Sequence, residues 1–406
     1  IAQFTYRGEV HLEKKNLLNV IKKVSFSLFI VIIYVMGLYI PLPFAEVTKQ
    51  YMEAVKNTPI SILGAFSGAN FTQISIFSIG LNPLMFSMLI IQLLSFTHSF
   101  GFDALSPKQV QYLMQFLTMI ITIIQAALLV FAFTNRRNGL EDFEMILILS
   151  AGSCLVVWLC YRNMKYGVGA SAPVILTSIL NGAIPNIISN VKLLLTMKYA
   201  WVWLAALAIF ILVLIKFWLA FTKAYYPLKV VNPSLPASSN LMTVPLGLNM
   251  AAMMMYMVGM AILTLPLMVG RYFSSSSLIN NWVFQASFSA VMGILIFYFF
   301  TFVNFDPKEQ AKSFRNNHYY IPNIAPGRPT QRYLNRLIWI IAFPGAVLNA
   351  FQLVFGLYGG NFLGNYAGFA IIPMNVVMIT MFMGGIKDQI DTILFPYRYD
   401  RLLKDN

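Results

Sequence analysis

Charged residues are what this sequence has least of: Asp, Glu, Lys and Arg make up 10% of its 406 residues, against 58% hydrophobic. A globular domain carries about 25% charged residues, so a water-soluble enzyme is excluded and an integral membrane protein is read instead. Residues 57–102, 230–270, 272–305 and 337–386 contain no charge at all. Ion-coupled transporters and proton pumps keep ionisable groups at membrane depth to hold the coupling ion, and the cores of the expected spans offer essentially none. A phosphate-binding GxxxxGK[ST] loop is missing, as is any carboxylate pair or triad in register, so neither nucleotide hydrolysis nor other catalysis is expected. The two cysteines, Cys154 and Cys160, lie six apart on one expected helix and cannot reach each other. His11, His98 and His318 are scattered, leaving no metal-ligand spacing and no implied cofactor. If work is done across a membrane here, a partner supplies the energy.

What the chain does have is apolar runs of spanning length. Ten are read, at about 24–43, 74–95, 110–133, 143–161, 170–190, 199–221, 249–270, 282–303, 335–356 and 365–384. The net charge of +14 would suit nucleic acid, but its placement argues otherwise. With loops assigned alternately to the two sides, 21 of the 28 basic residues fall on the side of the termini. The other side holds Lys49, Lys56, Arg136, Arg137, Lys192, Lys198 and Arg271. This is the positive-inside bias, and it puts both termini in the cytoplasm. The first span is too long, and ends too close to proline, to be a cleaved signal peptide.

The uncharged stretch 57–102 divides into two unequal parts. Residues 60–70 (ISILGAFSGAN) would rise about 16 Å as a helix, half of the ~30 Å hydrocarbon core, whereas 74–95 is long enough to cross it. A short helix that stops, followed by a full span, suits a protein that plugs or lines a cavity. Six of the 22 methionines form one run: Met250, Met253, Met254, Met255, Met257 and Met260. Unbranched thioether side chains can repack around substrates of varied shape, as a deformable gasket would; the alternative is ordinary apolar helix surface. Asn82, Gln92, Asn181, Asn249 and Asn375 are among the uncharged polar residues of the spans, suited to interhelical hydrogen bonds or to a polar-tolerant path.

Four collinear segments carry a family resemblance: GLYIPLP at 37–43, GAFSGANFTQISIFSIGLNPLMFSMLIIQLL at 64–94, LGLNMAAMMMYMVGMAILTLP at 246–266 and NFDPKEQAKSFRNNHYYIPNIAPGRPTQRYLNRL at 304–337. Together they resemble the SecY family, the channel subunit of the protein translocase. The resemblance implies an all-α membrane protein of ten transmembrane helices in two pseudo-symmetric five-helix halves, 1–195 and 196–406, with a short plug helix at about 60–70 and a large cytoplasmic loop at about 304–334. It implies a bacterial cytoplasmic-membrane channel for unfolded preproteins, driven by a SecA-type ATPase.

Carried over position by position, the resemblance gives a pore ring of Leu81, Met85, Leu176, Leu180, Met257 and Met378. The plug would include Leu63, Gly64, Phe66, Ser67 and Gly68. A lateral gate, through which a signal helix leaves, would be faced by Phe86, Ile90, Gln92, Asn249 and Met260. Lys308, Lys312, Arg315, Arg328, Arg332 and Arg336 would meet acidic motor surface or anionic lipid. Departures from the family pattern are equally informative. The loop 223–247, ordinarily long and basic, has two Lys and no Arg, and the loop's usual IRPG reads Ile324-Ala325-Pro326-Gly327, followed by Arg328. These losses resemble the accessory branch of the family in Gram-positive bacteria, which exports serine-rich glycosylated adhesins with a dedicated SecA. Small accessory membrane subunits are left open. The alternatives are a housekeeping translocon of the same family and a secondary transporter or flippase outside it.

Overall fold

The computed structural model describes residues 2–44, 74–96, 105–133, 139–196, 199–233, 241–256 and 282–394. Its helices are α1 (Ala2–Tyr39), α2 (Asn82–Phe96), α3 (Pro107–Phe133), α4 (Gly139–Tyr166), α5 (Ala172–Leu195), α6 (Ala200–Lys223), α7 (Trp282–Asn304), α8 (Pro307–Asn316), α9 (Arg328–Leu363) and α10 (Ile372–Leu394). Among the described residues seven helical segments are long and apolar enough to cross a membrane. The chain divides into two compact units. The first comprises Ile1–Pro185 with Phe382–Arg398, the second Asn186–Met381 with Tyr399–Asn406.

In the first unit Leu42, just past α1, and Ile79, in the turns before α2, pack with Ala126 and Val130 of α3 and Met145 and Leu149 of α4. Here the expected second span is corrected. Residues 74–81 form turns, and only Asn82–Phe96 is helical, about 22 Å long and short of a full crossing. The physical reason lies in Ser75, Ser78 and Pro83. The Ser75 N–H donates to Ser78 Oγ (2.6 Å), an alternative to a helical bond. Pro83, which has no N–H to give, then fits only a first helical turn. The turn segment is fastened on both sides. Residue Ile76 donates to Ile40 O (3.2 Å) and Leu42 to Ile74 O (3.3 Å) at the end of α1, and Ser153 Oγ of α4 donates to Gly80 O (3.0 Å). Gly152 permits that approach, because a Cβ there would lie 2.2 Å from Ile76 O.

A second fastening closes the α4–α5 turn. Asn163, fully buried, donates through Nδ2 to Val168 O (3.0 Å) and Ala170 O (2.7 Å), while its Oδ1 accepts from Ser27 Oγ (2.7 Å) of α1. Ser27 Oγ in turn accepts from the Val168 N–H (2.8 Å), and the Gly169 N–H donates to Gln389 Oε1 (2.5 Å) of α10. One asparagine thus replaces the missing helical partners of a chain reversal, as burial away from water requires.

In the second unit α7 and α9 run antiparallel in close contact. Trp282 meets Phe362 (4.5 Å between rings), Ser289 Oγ lies 3.2 Å from the Tyr358 hydroxyl, and Tyr298 donates to Trp339 O (3.0 Å). The all-α expectation is corrected here too. Tyr225–Val231 (β1) and Leu241–Gly247 (β2) form an antiparallel hairpin, with Tyr225 opposite Gly247 and Lys229 opposite Thr243. The alternation Leu228, Val230 faces a core completed by Leu246, Phe305, Phe314 and Ile338, and Val231 exchanges backbone bonds with Tyr320 (2.9 and 3.0 Å). Residues 364–369 form a 3₁₀ turn that takes in the expected start of the tenth span at 365, and α10 begins only at Ile372.

Two substitutions separate close packing from helix propensity. Gly152→Ala should lower stability by about 1–3 kcal/mol through the Ile76 carbonyl. Gly384→Ala, where a Cβ meets nothing within 4 Å, should gain about 0.5–1 kcal/mol as a helix-interior glycine removed. Thermal unfolding of the detergent-solubilised protein checks both. Asn163→Leu should cost about 1–3 kcal/mol by leaving the Ala170 carbonyl without its donor and removing the bonds to Val168 O and Ser27 Oγ, with faster proteolysis at residues 166–171 than in the parent.

Candidate functional site

The residues expected to line a pore are distributed as follows. Leu81 is buried in the last position before α2, and Met85 is half-buried one turn later, its N–H donating to Leu81 O (3.1 Å). On α5, Leu176 is buried and Leu180 exposed; on α10, Met378 is buried. Met257 lies outside the described residues, as do the plug positions Leu63, Gly64, Phe66, Ser67 and Gly68. Of the gate candidates, Phe86, Ile90 and Gln92 are half-buried on α2. Phe86 and Ile90 share one helical face while Gln92 falls on another. Met260 is also outside the described residues. Three residues in α2 and α3 knit that face together: Ser87 Oγ donates to Pro83 O (2.7 Å) and accepts from Thr118 Oγ1 (3.0 Å).

Asn249 has a specific partner. Its Oδ1 accepts from Nδ2 of Asn349 (2.7 Å), a fully buried residue of α9 that also donates to Gly345 O (2.7 Å). The pair is possible because Gly345 leaves room for the Leu248 carbonyl, which would lie 2.3 Å from a Cβ at that position. Asn304 at the end of α7 adds a bond from Nδ2 to Met250 O (3.1 Å). The base of the methionine-rich segment is thereby held by α7 and α9 through uncharged polar groups, which in an apolar surrounding act as specific clasps.

The hairpin, α8 and the start of α9 make one packed platform. The sequence specifies α8 at both ends. Asp306 caps it by accepting from the Lys308 N–H (2.8 Å), Pro307 occupies the first turn with Glu309, and Arg315 sits in the last turn, each placed as the helix dipole favours. Ala311 and Phe314 are buried, which leaves Lys308, Lys312 and Arg315 exposed. On α9, Arg328, Arg332 and Arg336 repeat every four residues and are exposed likewise, a spacing that puts them on one face. Lys308, Arg328 and Arg332 line a single open cleft of about 540 Å³, with Asp306, Gln331 and Asn335 as its polar neighbours. Of the six basic residues read from the sequence, the structure gathers these three. Lys312 and Arg315 lie farther along α8, and Arg336 farther along α9.

Sequence reasoning missed Asn163 and Asn349, whose importance comes from partners 136 and 100 residues away. The hairpin did carry a signal: β-favouring YYPLKVV and LMTVPLG flank a stretch rich in Pro and Ser, NPSLPASSN.

The SecY family model matches residues 75–383. An accessory Sec system protein translocase subunit of Lactobacillus johnsonii, SecY2, is 99% identical over 395 residues, covering 97% of this chain and all of that protein. The corresponding subunit of Streptococcus sanguinis is 26% identical, covering 95% of this chain and 98% of that one. Among solved structures, a protein conducting channel superposes with a TM-score of 0.58 at 15% identity, covering 93% of this chain and 94% of that one. Sec61 from a canine ribosome–channel complex gives 0.52 at 15% identity, with the same coverage. The likeness to these structures is one of fold. With a family model that runs from the turns before α2 into α10, the chain belongs to the SecY family, as a multi-pass protein of the bacterial cytoplasmic membrane.

Proposed function

We propose that this chain is the protein-conducting channel of an accessory Sec translocase, passing unfolded preproteins across the cytoplasmic membrane. The observation that carries the reading is the 99% identity to an accessory translocase subunit along 97% of the chain. A translocase subunit implies a preprotein substrate and a SecA-type motor. The finer assignments belong to the proposal: serine-rich glycosylated adhesins as substrates, a dedicated accessory motor, and ten spans in two five-helix halves with both termini in the cytoplasm.

In this reading the chain itself performs no chemistry and acts by shape. Leu81, Met85, Leu176, Leu180, Met257 and Met378 form the constriction. Methionine fits that role because an unbranched side chain can close around a moving polypeptide and still exclude water when the path is empty. Residues 60–70 fill the path at rest. The fastening of 74–81 to α1 and α4 supports this, because a segment that moves needs a fixed anchor next to it. Phe86 and Ile90 on α2, with Asn249 and Met260 of the seventh span, face the lateral exit. Asn349 sets the position of Asn249 through their 2.7 Å bond. Lys312 and Arg315, exposed on α8, meet the motor.

Two experiments test the proposal. A cysteine at Met85, in a background lacking Cys154 and Cys160, should crosslink to a cysteine in a preprotein stalled in mid-export, and only with motor and ATP present. The absence of an adduct with substrate and motor shown to be bound would contradict the path. Reversing Lys312 and Arg315 to Glu should weaken motor binding at low salt by about tenfold or more, with the difference shrinking as salt is raised. An unchanged affinity would reduce both residues to markers of topology.

A further inference from the structure

The cationic cleft leads directly into a lipid-facing surface. Along α9 the exposed residues Arg328, Arg332, Arg336, Trp339, Phe343 and Val347 follow one another on one face, at spacings of three and four. The face therefore changes from guanidinium to indole to purely apolar as α9 enters its span. Arg332 and Trp339 are separated by about 10 Å of helix rise, a distance comparable to the depth of a headgroup layer. Trp339 is not isolated. Its ring lies 4.4 Å from that of Tyr298 and 5.6 Å from that of Phe302 on the neighbouring α7. Such aromatic clusters settle at the boundary between hydrocarbon and headgroup. α7 ends at Asn304 and the cleft begins at Asp306, which puts its mouth immediately beyond that boundary.

The charges in the cleft are unbalanced. Asp306 is its one carboxylate, and it is already engaged in capping α8. Lys308, Arg328 and Arg332 pair with no carboxylate among the described residues. The helix that contributes two of them starts at Arg328, and its N-cap Gly327 provides no side-chain cap. Guanidinium groups match phosphate oxygens in geometry.

We propose that this cleft is a binding site for the phosphate headgroup of an anionic phospholipid such as phosphatidylglycerol, with the acyl chains lying along Trp339, Ile340 and Phe343. A phospholipid fits better than an acidic protein because the cationic surface continues without a break into exposed apolar side chains. An acidic protein surface would leave these uncovered. The assignment rests on the membrane placement of the family and not on channel activity, so it can fail or hold independently of the transport reading. It also separates two sets of basic residues: Lys308, Arg328 and Arg332 for lipid, Lys312 and Arg315 for the motor.

The test uses the full chain in nanodiscs that contain phosphatidylcholine with or without phosphatidylglycerol. Native mass spectrometry counts the lipids retained, for the parent, for Lys308→Gln/Arg328→Gln/Arg332→Gln and for Lys312→Gln/Arg315→Gln. The parent should retain phosphatidylglycerol in preference to phosphatidylcholine. The cleft variant should lose that preference, about a hundredfold for three cations near an anionic surface, and the α8 variant should keep it. All targeted residues are exposed, and thermal unfolding of each variant confirms that the fold is retained. Equal retention by parent and cleft variant would overturn the proposal. So would displacement of the lipid by millimolar inorganic phosphate, which would mark a free-anion site, or weakened motor binding in the cleft variant with lipid retention intact, which would mark an acidic-protein site.

Discussion

A backbone group that leaves a helix inside a membrane has no water to turn to, and the architecture is organised around the places where this chain leaves one. Residues 74–81 are the clearest case. Their backbone pairs with the end of α1 on one side and with Ser153 of α4 on the other, and Gly152 lets α4 approach closely enough for that. The reversal between α4 and α5 is handled in the same way by Asn163 and Ser27. The segment around Asn249 and Met250 is held by Asn349 and Asn304. Uncharged amides and hydroxyls do this work at the ends of spans whose cores are nearly free of charge.

Outside the hydrocarbon the same chain uses water-soluble rules. The platform of β1, β2, α8 and the start of α9 has a small apolar core around Leu228, Val230, Phe305, Phe314 and Ile338. Its rim carries the basic residues that the spans lack. Under the proposed function, charge kept out of the span cores would leave the translocation path without sites for an ion or a proton, and the basic rim of the platform would offer anionic partners a place to dock.

How much of this was legible in the sequence depended on whether the signal was local. α8 carried complete local signals, with Asp306, Pro307, Glu309 and Arg315 at its ends and Ala311 and Phe314 on its buried face, yet residues 304–334 were expected only as a loop. The start of α2 could not be read from hydropathy, because residues 74–81 are as apolar as the helix that follows. Only Ser75, Ser78, Gly80 and Pro83 distinguish the turns. The hairpin was overlooked although β-favouring runs flanked a turn-rich stretch, since a short loop between two spans draws no strand expectation. Asn163 and Asn349 were not legible at all, because an asparagine in an apolar helix looks the same whether its partner is absent or a hundred residues away. The gathering of Lys308, Arg328 and Arg332 into one cleft likewise needed the packing of α8 against α9, which spacing alone does not give.

The central claim is that an otherwise continuous path through this chain is stopped at rest by residues 60–70. The most direct measurement is ionic conductance across a planar bilayer containing the purified full chain, compared with a variant lacking those residues. The account predicts a silent parent and a variant that opens to ions. A variant that remains as silent as the parent, with insertion of both verified, would contradict it.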